Sequence, residues 1–298
     1  MSAPQPPVPP GPIAWIGDPR PEGSWGDGRW GSPDDLGLPL SDRGLLLACG
    51  LFETVLVERG RPWLLDQHLD RLERSAALLE LPSPPGPPVV EPLVAQAIRH
   101  SGIGTGALRL NWSCGSPTDP AARGLDPTAA CRPRFWLQFN PTGPGFAAVR
   151  VIVSPTEVRC ASSLLSRCKT FAYGPSLLAR RQAAAAGAHD ALLASSAGGL
   201  SCGSAANLLV RRAGNWLTPP LASGCLPGVM RARALALGLA SEAGLGELDE
   251  AELRGSEGAM LLNSLDCRPI SHLDQHALAW SGDLSQQAED FWRQLLRL

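Results

Sequence analysis

The sequence predicts an α+β fold with two domains and a cleft between them, and three observations support this. The chain has 298 residues, close to twice the length of an ordinary domain of about 150 residues. Its composition, 44% hydrophobic and 18% charged residues, is that of a globular protein. Runs typical of strands alternate with segments of helical spacing on both sides of residues 141–146, a Pro- and Gly-rich stretch that we interpret as a linker.

The linker divides the chain into a smaller N-terminal domain, residues 13–140, and a larger C-terminal domain, residues 147–298. Residues 1–12 contain six prolines and show no periodicity. We therefore expect a disordered or polyproline-like tail there.

Short apolar runs predict the strands of the N-terminal domain at residues 13–16, 51–57, 63–65, 107–112 and 134–139. Residues 17–40, rich in Gly, Pro, Asp and Trp, predict an extended loop. Apolar residues recur at helical spacing over 66–79, which predicts a helix with Asp66 as its N-cap. A Pro-rich stretch ends that helix before a second one at 89–100.

The C-terminal domain is predicted to alternate strands with helices in a similar way. An alanine-rich helix over 175–186 stops at Gly187, a second helix covers about 227–238, and an amphipathic helix over 286–298 follows. The predicted strands are residues 147–153, 190–194 and 207–211, with a turn at 213–215.

Charge and hydropathy argue against several classes of function. A net charge of -2 and a pI of about 6.2 do not suit a nucleic-acid binder, which normally carries a basic excess. No apolar run reaches the roughly 18 residues that span a membrane, and the N-terminus lacks the features of a secretory signal. The eight cysteines form no Cys-x-x-Cys pair and no zinc-finger spacing. We therefore expect no metal site, mostly reduced thiols and a cytoplasmic location.

The most informative count concerns lysine. The 26 basic residues include a single lysine, Lys169, and 25 arginines. Arginine replaces lysine as a surface charge, but its guanidinium stays protonated and cannot act as an amine nucleophile. The pattern indicates amine chemistry at Lys169, and chance survival of one surface lysine is the alternative.

The only tyrosine, Tyr173, follows Lys169 by four residues. A phenol beside an amine suits carbonyl chemistry, because the phenol can hydrogen-bond a neighbouring oxyanion. The proximity of these two singletons favours a functional role for Tyr173 over a place in the core.

Eight segments, in the same order along the chain from about residue 13 to 298, resemble the fold-type IV (class IV aminotransferase-like) pyridoxal-phosphate enzymes. That family includes branched-chain and D-amino-acid aminotransferases and aminodeoxychorismate lyase. The segments are SDRG (41–44), GLFET (50–54), HLDRL (68–72), KT with Tyr173 (169–173), AANL (205–208), TPPL (218–221), LPG with Arg231 (226–231) and NSL (263–265). The resemblance implies two α/β-type domains with the cofactor cleft between them, pyridoxal 5'-phosphate as cofactor, a small-molecule substrate and a homodimer.

The resemblance also implies roles for individual residues. Lys169 would hold the cofactor covalently through its amine and then move the substrate's α-proton. Tyr173 would hydrogen-bond the phenolate oxygen of the cofactor. Arg71 would bind the phosphate with its guanidinium, although without the family context it would be assigned to a solvated helix face. His68 is expected to pack or orient the same helix.

Further cofactor contacts are implied in the C-terminal domain. Val229 and Met230 open a predicted helix, so their backbone N–H groups would bind the phosphate; an ordinary turn is the alternative. Asn207 belongs to the AANL segment. Asn263 and Ser264 occupy a segment that often adds a phosphate contact, and the sequence does not choose between them.

Two positions depart from the family pattern. The family usually carries a glutamate five residues before Asn207, paired with the pyridinium nitrogen, and here that residue is Cys202. A neutral thiol supplies no carboxylate charge, so the ring nitrogen should be less protonated and the cofactor a weaker electron acceptor. The family's Gly-Asp-Gly reads Ala48-Cys49-Gly50 here, which we expect to affect only local packing.

The Cys202 departure favours a lyase over an aminotransferase, because expelling a good leaving group needs a weaker electron acceptor than transamination does. The NSL and SDRG segments and Arg123-Gly124-Leu125 resemble aminodeoxychorismate lyase most. Arg123 is a candidate for binding a substrate carboxylate, and an exposed loop arginine is the alternative of equal weight. The implied reaction releases pyruvate from 4-amino-4-deoxychorismate and forms 4-aminobenzoate, a folate precursor.

Three alternatives stay open. The first alternative is a branched-chain or D-amino-acid aminotransferase, and the second is a degenerate cofactor-binding relative without turnover. The third is an interaction protein. An arginine-rich interaction protein without cofactor would leave the paired singletons Lys169 and Tyr173 unexplained.

Overall fold

The computed structural model describes residues 10–17, 28–119, 121–122 and 125–297. The chain forms two compact units, Met1–Gly143 and Pro144–Leu298. The division falls inside the stretch 141–146. Among the described residues, no helix has the length and apolar character needed to cross a membrane.

Unit 1 is built on a six-stranded antiparallel sheet with the strand order β2-β1-β6-β5-β3-β4. Its strands are β1 (Ile13–Gly17), β2 (Arg29–Gly31), β3 (Gly50–Glu58), β4 (Arg61–Pro62), β5 (Gly106–Pro117) and β6 (Cys131–Pro141). Its helices are α1 (Arg43–Leu47), α2 (Leu65–Leu78) and α3 (Pro87–Ser101). The apolar face of α2 packs against β3 and buries Leu65, Leu69, Leu72 and Ala76.

The entry into α2 differs from the prediction. The predicted strand at 63–65 is wrong: the hairpin strand is Arg61–Pro62, and Trp63 N donates to Leu56 O before the chain turns. Leu64 is the N-cap residue in a left-handed conformation (φ 55°) and provides no side-chain cap. Asp66 therefore lies in the first helical turn, where its charge still complements the helix dipole.

In its described part, the predicted loop at 17–40 contains the strand Arg29–Gly31, which pairs with β1. Residues 18–27 lie outside the described residues, as do residues 1–9 of the predicted tail. Within the tail, Gly11 N donates a hydrogen bond to Ser101 O, at the end of α3.

Cys49 and Cys114 form a disulfide, which corrects the expectation for two of the eight cysteines. The residues are 65 apart in sequence, so no spacing rule indicated the pair. Pairing of β3 with β5 places their Cα atoms 5.8 Å apart, and Cys114 N donates to Cys49 O. Cys131, Cys160, Cys202, Cys225 and Cys267 carry free thiols.

Unit 2 contains a nine-stranded mixed sheet with the order β12-β11-β10-β13-β14-β7-β8-β9, and β15 pairs with β14. The strands are β7 (Val149–Arg159), β8 (Asp190–Ser195), β9 (Leu200–Gly203), β10 (Asn207–Arg212), β11 (Asn215–Thr218), β12 (Ser241–Glu242), β13 (Gly258–Leu262), β14 (Cys267–Leu273) and β15 (His276–Ala277). The helices are α4 (Gly174–Ala185), α5 (Val229–Ala236), α6 (Glu250–Arg254) and α7 (Leu284–Leu295), with 3-10 turns at Leu164–Arg167 and Leu221–Ser223.

A further pairing of β9 with β10 closes six strands of this sheet into a ring. One core cluster takes apolar side chains from all six ring strands, among them Val151, Leu192, Leu208, Leu261 and Ile270. A second cluster packs α4 on β7 and β8 and includes Cys202 and Cys225. The sequence predicted β7, β8, β10, α4, α5 and α7 near their observed places and missed β9 and the strands from β11 onward.

Candidate functional site

Lys169 and Tyr173 lie in direct contact. Lys169 Nζ donates to Tyr173 Oη over 3.0 Å. Lys169 follows the 3-10 turn Leu164–Arg167, and Tyr173 is the N-cap residue of α4, so the helix start fixes the phenol beside the amine. Both side chains are half-buried, which leaves the amine accessible to a small molecule.

Cys202 lies on β9, directly opposite Asn207 of β10. Burial among apolar side chains raises the pKa of the Cys202 thiol to about 11, although the nearby charge of Arg159 acts to lower it. The thiol is therefore neutral at pH 7, as the sequence analysis predicts for this position.

Asn207 organises the segment that precedes α5. Its Nδ2 donates to Leu226 O over 2.9 Å, and a Cβ at Gly228 would lie only 2.0 Å from Asn207 Oδ1. Any side chain at position 228 would displace Asn207, which explains the glycine of the Leu-Pro-Gly segment. Asn207 therefore holds the segment Leu226–Gly228, which precedes α5, in place.

The N-terminus of α5 is formed by Val229 and Met230, whose side chains are buried. The N-cap residue, Gly228, has no side chain to accept from the first backbone N–H groups. These donors and the helix dipole favour an anion. This is the arrangement that the sequence predicts for a phosphate site.

Asn263 closes the turn between β13 and β14. Its Oδ1 accepts hydrogen bonds from Leu265 N (2.8 Å) and Asp266 N (2.9 Å), and its Nδ2 donates to Ala205 O (3.5 Å). Since the side chain is engaged with the backbone of two turns, Ser264 is the better candidate of the two for a hydroxyl contact with phosphate.

Arg71 belongs to unit 1 and is 5% exposed, so it does not lie on a solvated helix face. Its Nε and Nη2 donate to the two carboxylate oxygens of Glu53 over 2.7 and 2.5 Å, and His68 Nδ1 lies 2.6 Å from Glu53 Oε2. Through this contact His68 helps to orient α2 on β3, the role that the sequence analysis expects for it.

Glu53 is the functional candidate that the sequence analysis missed. Burial raises the pKa of this carboxyl, but the charges and hydrogen bonds of Arg71 and His68 outweigh burial and lower the pKa to about 2. The carboxylate is therefore ionised and fixes the plane of the Arg71 guanidinium. Glu53 belongs to the GLFET segment and Arg71 to the HLDRL segment, two consecutive segments of the resemblance to the family. That was the available signal for a contact between Glu53 and Arg71.

Arg109 is a second residue without a sequence prediction. Its guanidinium lies 3.6 Å from the centroid of the Phe52 ring, and its Nε donates to Asn111 Oδ1 over 2.7 Å. An arginine inside a predicted strand was the available signal. The predicted substrate residue, Arg123, lies outside the described residues. No group of three or more potential metal ligands occurs within the described part of the chain.

The chain matches the model of the class IV aminotransferases over residues 50–273. A chloroplastic D-amino-acid transaminase of Arabidopsis thaliana is 28% identical over 71% of this chain, and this chain spans 56% of that protein. An aminodeoxychorismate lyase of Bacillus subtilis is 27% identical over 84% of this chain and 86% of its own length.

Solved structures agree with the family match. A fold IV transaminase from Curtobacterium pusillum has a TM-score of 0.78 and 25% identity, covering 96% of this chain and 99% of its own. A hypothetical aminotransferase from Mycobacterium tuberculosis, solved in its PLP-bound form, has a TM-score of 0.76 and 24% identity, covering 95% and 98%. The predicted fold-type IV architecture is confirmed.

The residues of unit 2 fit pyridoxal phosphate. Lys169 offers an accessible amine to an aldehyde, Tyr173 Oη lies 3.0 Å from that amine, and the glycine-capped start of α5 offers donors to a phosphate. Both the family prediction and the cofactor prediction are confirmed: the chain belongs to the class IV aminotransferase family, and its cofactor is pyridoxal phosphate.

Proposed function

We propose that this protein is a pyridoxal-phosphate-dependent aminodeoxychorismate lyase, which releases pyruvate from 4-amino-4-deoxychorismate and forms 4-aminobenzoate for folate synthesis in the cytoplasm. The observation that carries the proposal is the neutral, buried Cys202 thiol at the position where the family usually has a glutamate. Similarity to the Bacillus subtilis aminodeoxychorismate lyase over 84% of this chain supports the same choice.

Lys169 has two tasks in this proposal. Its Nζ would hold the cofactor, and the same atom would take the proton from the substrate carbon that bears the amine and pass a proton to the departing pyruvate. Tyr173 Oη, 3.0 Å from Nζ, orients the amine and stabilises negative charge on the cofactor's oxygen. When bound, pyridoxal phosphate supplies an aldehyde and an electron-accepting ring.

Four groups of this chain are proposed to hold the phosphate. The backbone N–H groups of Val229 and Met230 donate from the start of α5, and Ser264 adds a hydroxyl. The Arg71 guanidinium supplies the positive charge, in the orientation that Glu53 imposes. Asn207 holds the Leu226–Gly228 segment so that the α5 amides stay in place.

Cys202 decides between the two main reactions. A glutamate at this position keeps the ring nitrogen protonated, whereas a neutral thiol gives only a weak hydrogen bond. The cofactor is then a weaker electron acceptor, which suits elimination of a good leaving group better than transamination. Arg123 remains our candidate for binding a substrate carboxylate.

Aminotransfer is the second candidate function, because a D-amino-acid transaminase is among the relatives. Two measurements on the purified, cofactor-loaded protein separate the candidates. The lyase forms 4-aminobenzoate and pyruvate in equal amounts from 4-amino-4-deoxychorismate. An aminotransferase instead converts its cofactor to the pyridoxamine form with simple amino acids, and a degenerate relative does neither.

We also propose a homodimer. Three consecutive leucines of α1, Leu45, Leu46 and Leu47, are 54, 62 and 42% exposed, and a second copy of the chain would cover this apolar surface. A monomeric mass by size-exclusion chromatography with light scattering, at micromolar concentration, would contradict the dimer.

A further inference from the structure

Arg180 connects two parts of unit 2 that carry predicted cofactor residues. It lies on α4, seven residues after Tyr173, the N-cap residue of that helix. Its Nε donates to Ser204 Oγ over 2.8 Å, and its Nη2 donates to Asp190 Oδ2 over 3.2 Å. One side chain therefore reaches both the start of β8 and the turn between β9 and β10.

Asp190 gives Arg180 a fixed anchor. The carboxylate is buried, and its Oδ1 accepts a hydrogen bond from Ala191 N over 2.8 Å. The Arg180 side chain itself is 48% exposed, so the ion pair alone contributes little stability. Its geometric effect is larger, because a guanidinium donates to two acceptors in fixed directions.

Ser204 lies in the turn that joins Cys202 to Asn207, and it is 5% exposed. Gly203 N donates to Ala206 O across the turn, and Ala205 O accepts from Asn263 Nδ2 over 3.5 Å. The bond from Arg180 is shorter, at 2.8 Å, and comes from the helix that Tyr173 begins. The Arg180 side chain thus connects this turn to α4, the helix whose N-cap residue is Tyr173.

We propose that Arg180 is a positioning residue for the cofactor: through Ser204 it holds the Cys202–Asn207 turn in register with the Lys169–Tyr173 segment. This inference rests on the proposed function, since it needs the cofactor to lie against both segments. In this proposal Arg180 acts through Ser204 and not by direct contact with cofactor or substrate.

The test is a double-mutant cycle with Arg180→Met, Ser204→Ala and both together. Arg181→Met is the matched control, because Arg181 is the next residue of α4 and is exposed. Three quantities are measured for each protein: the dissociation constant of pyridoxal phosphate, the absorbance maximum of the loaded protein, and the rise in Tm on loading.

We expect each single variant to weaken cofactor binding about tenfold, to shift the absorbance band and to reduce the rise in Tm. The double variant should be no weaker than the singles, because both remove the same hydrogen bond. Ser204→Ala keeps the Arg180–Asp190 pair, so its apoprotein should unfold at the wild-type Tm. Arg181→Met should match wild type throughout.

The inference is overturned if Ser204→Ala binds pyridoxal phosphate with the wild-type dissociation constant and has the wild-type absorbance maximum. Arg180 would then be only the ion-pair partner of Asp190. Additive losses in the double variant would overturn it as well. Failure of the proposed function looks different: the wild-type protein itself would bind no pyridoxal phosphate or form no 4-aminobenzoate. Absence of cofactor binding overturns both, whereas absence of 4-aminobenzoate alone leaves the Arg180 cycle measurable.

Discussion

Cys202 and Asn207 are directly opposite each other in the pairing of β9 with β10. The thiol is buried and neutral, while the Asn207 amide donates to Leu226 O and fixes the loop before α5. A single pair of opposed residues thus connects the position proposed to set the cofactor's electronic character with the predicted phosphate site. The turn between them is the segment that Arg180 reaches.

The first prediction concerns Lys169. As the only lysine, it is the only ε-amino group that borohydride can reduce onto the cofactor, so peptide mapping should find one modified peptide containing it. Lys169→Arg should keep the positive charge but lose covalent attachment and activity. Label only at the N-terminal amine, or none, would refute the assignment.

Arg71 is predicted to bind the cofactor phosphate. Arg71→Ala would also leave the buried Glu53 carboxylate unpaired, so Arg71→Lys is the better variant, since it keeps the charge. Loss of the two-pronged geometry should weaken pyridoxal phosphate binding by about 1.5 kcal/mol, roughly tenfold. Arg74→Lys, at an exposed position of the same helix, is the control. Equal cofactor retention by the two variants on dialysis would count against the role of Arg71.

Glu53 is predicted to give the protein an acid-sensitive contribution to stability. Its pKa is lowered to about 2 from 4.5, so the stabilisation is complete above pH 4.5 and is lost as pH falls towards 2. Glu53→Gln should lower the free energy of unfolding at pH 7 by about 3 kcal/mol, because it leaves Arg71 without its counter-charge.

Urea unfolding between pH 7 and pH 3 measures this effect. The difference between wild type and Glu53→Gln should shrink as pH falls, while Glu73→Gln, at an exposed position of α2, should stay within about 0.5 kcal/mol of wild type. A difference that does not change with pH would contradict an ionised Glu53 as its source.

The fold was predictable where local pattern and tertiary structure agree. Helices α2 and α4 follow apolar periodicity and alanine content, and β3 follows a run rich in apolar and β-branched residues. Strands β9 and β11 to β15 have two to seven residues and are stabilised by pairing within the sheet, which no local pattern records. The turn at Leu64 was missed because Leu64 adopts the left-handed conformation, which leucine rarely does.

The site was predictable only where composition or motif singled out a residue. Lys169 and Tyr173 were found because each is the only one of its type, and the structure places their polar atoms 3.0 Å apart. Glu53 and Arg180 were missed because their importance comes from partners 18 and 24 residues away in sequence. Such contacts depend on the packing of helices on sheets, and neither residue is unusual by itself.

The last prediction is that Cys202 limits transamination. Burial raises the pKa of an acidic group at this position, but a glutamate there would pair with the ring nitrogen of the bound cofactor, and that opposite charge would keep the carboxylate ionised and the ring nitrogen protonated. Cys202→Glu should therefore speed conversion of the cofactor to its pyridoxamine form by simple amino acids, followed by absorbance. Cys202→Gln has the same size without the charge and should convert no faster than wild type, which separates charge from packing. If Cys202→Glu is as slow as Cys202→Gln, the thiol does not face the ring nitrogen, and the electronic argument for a lyase loses its support.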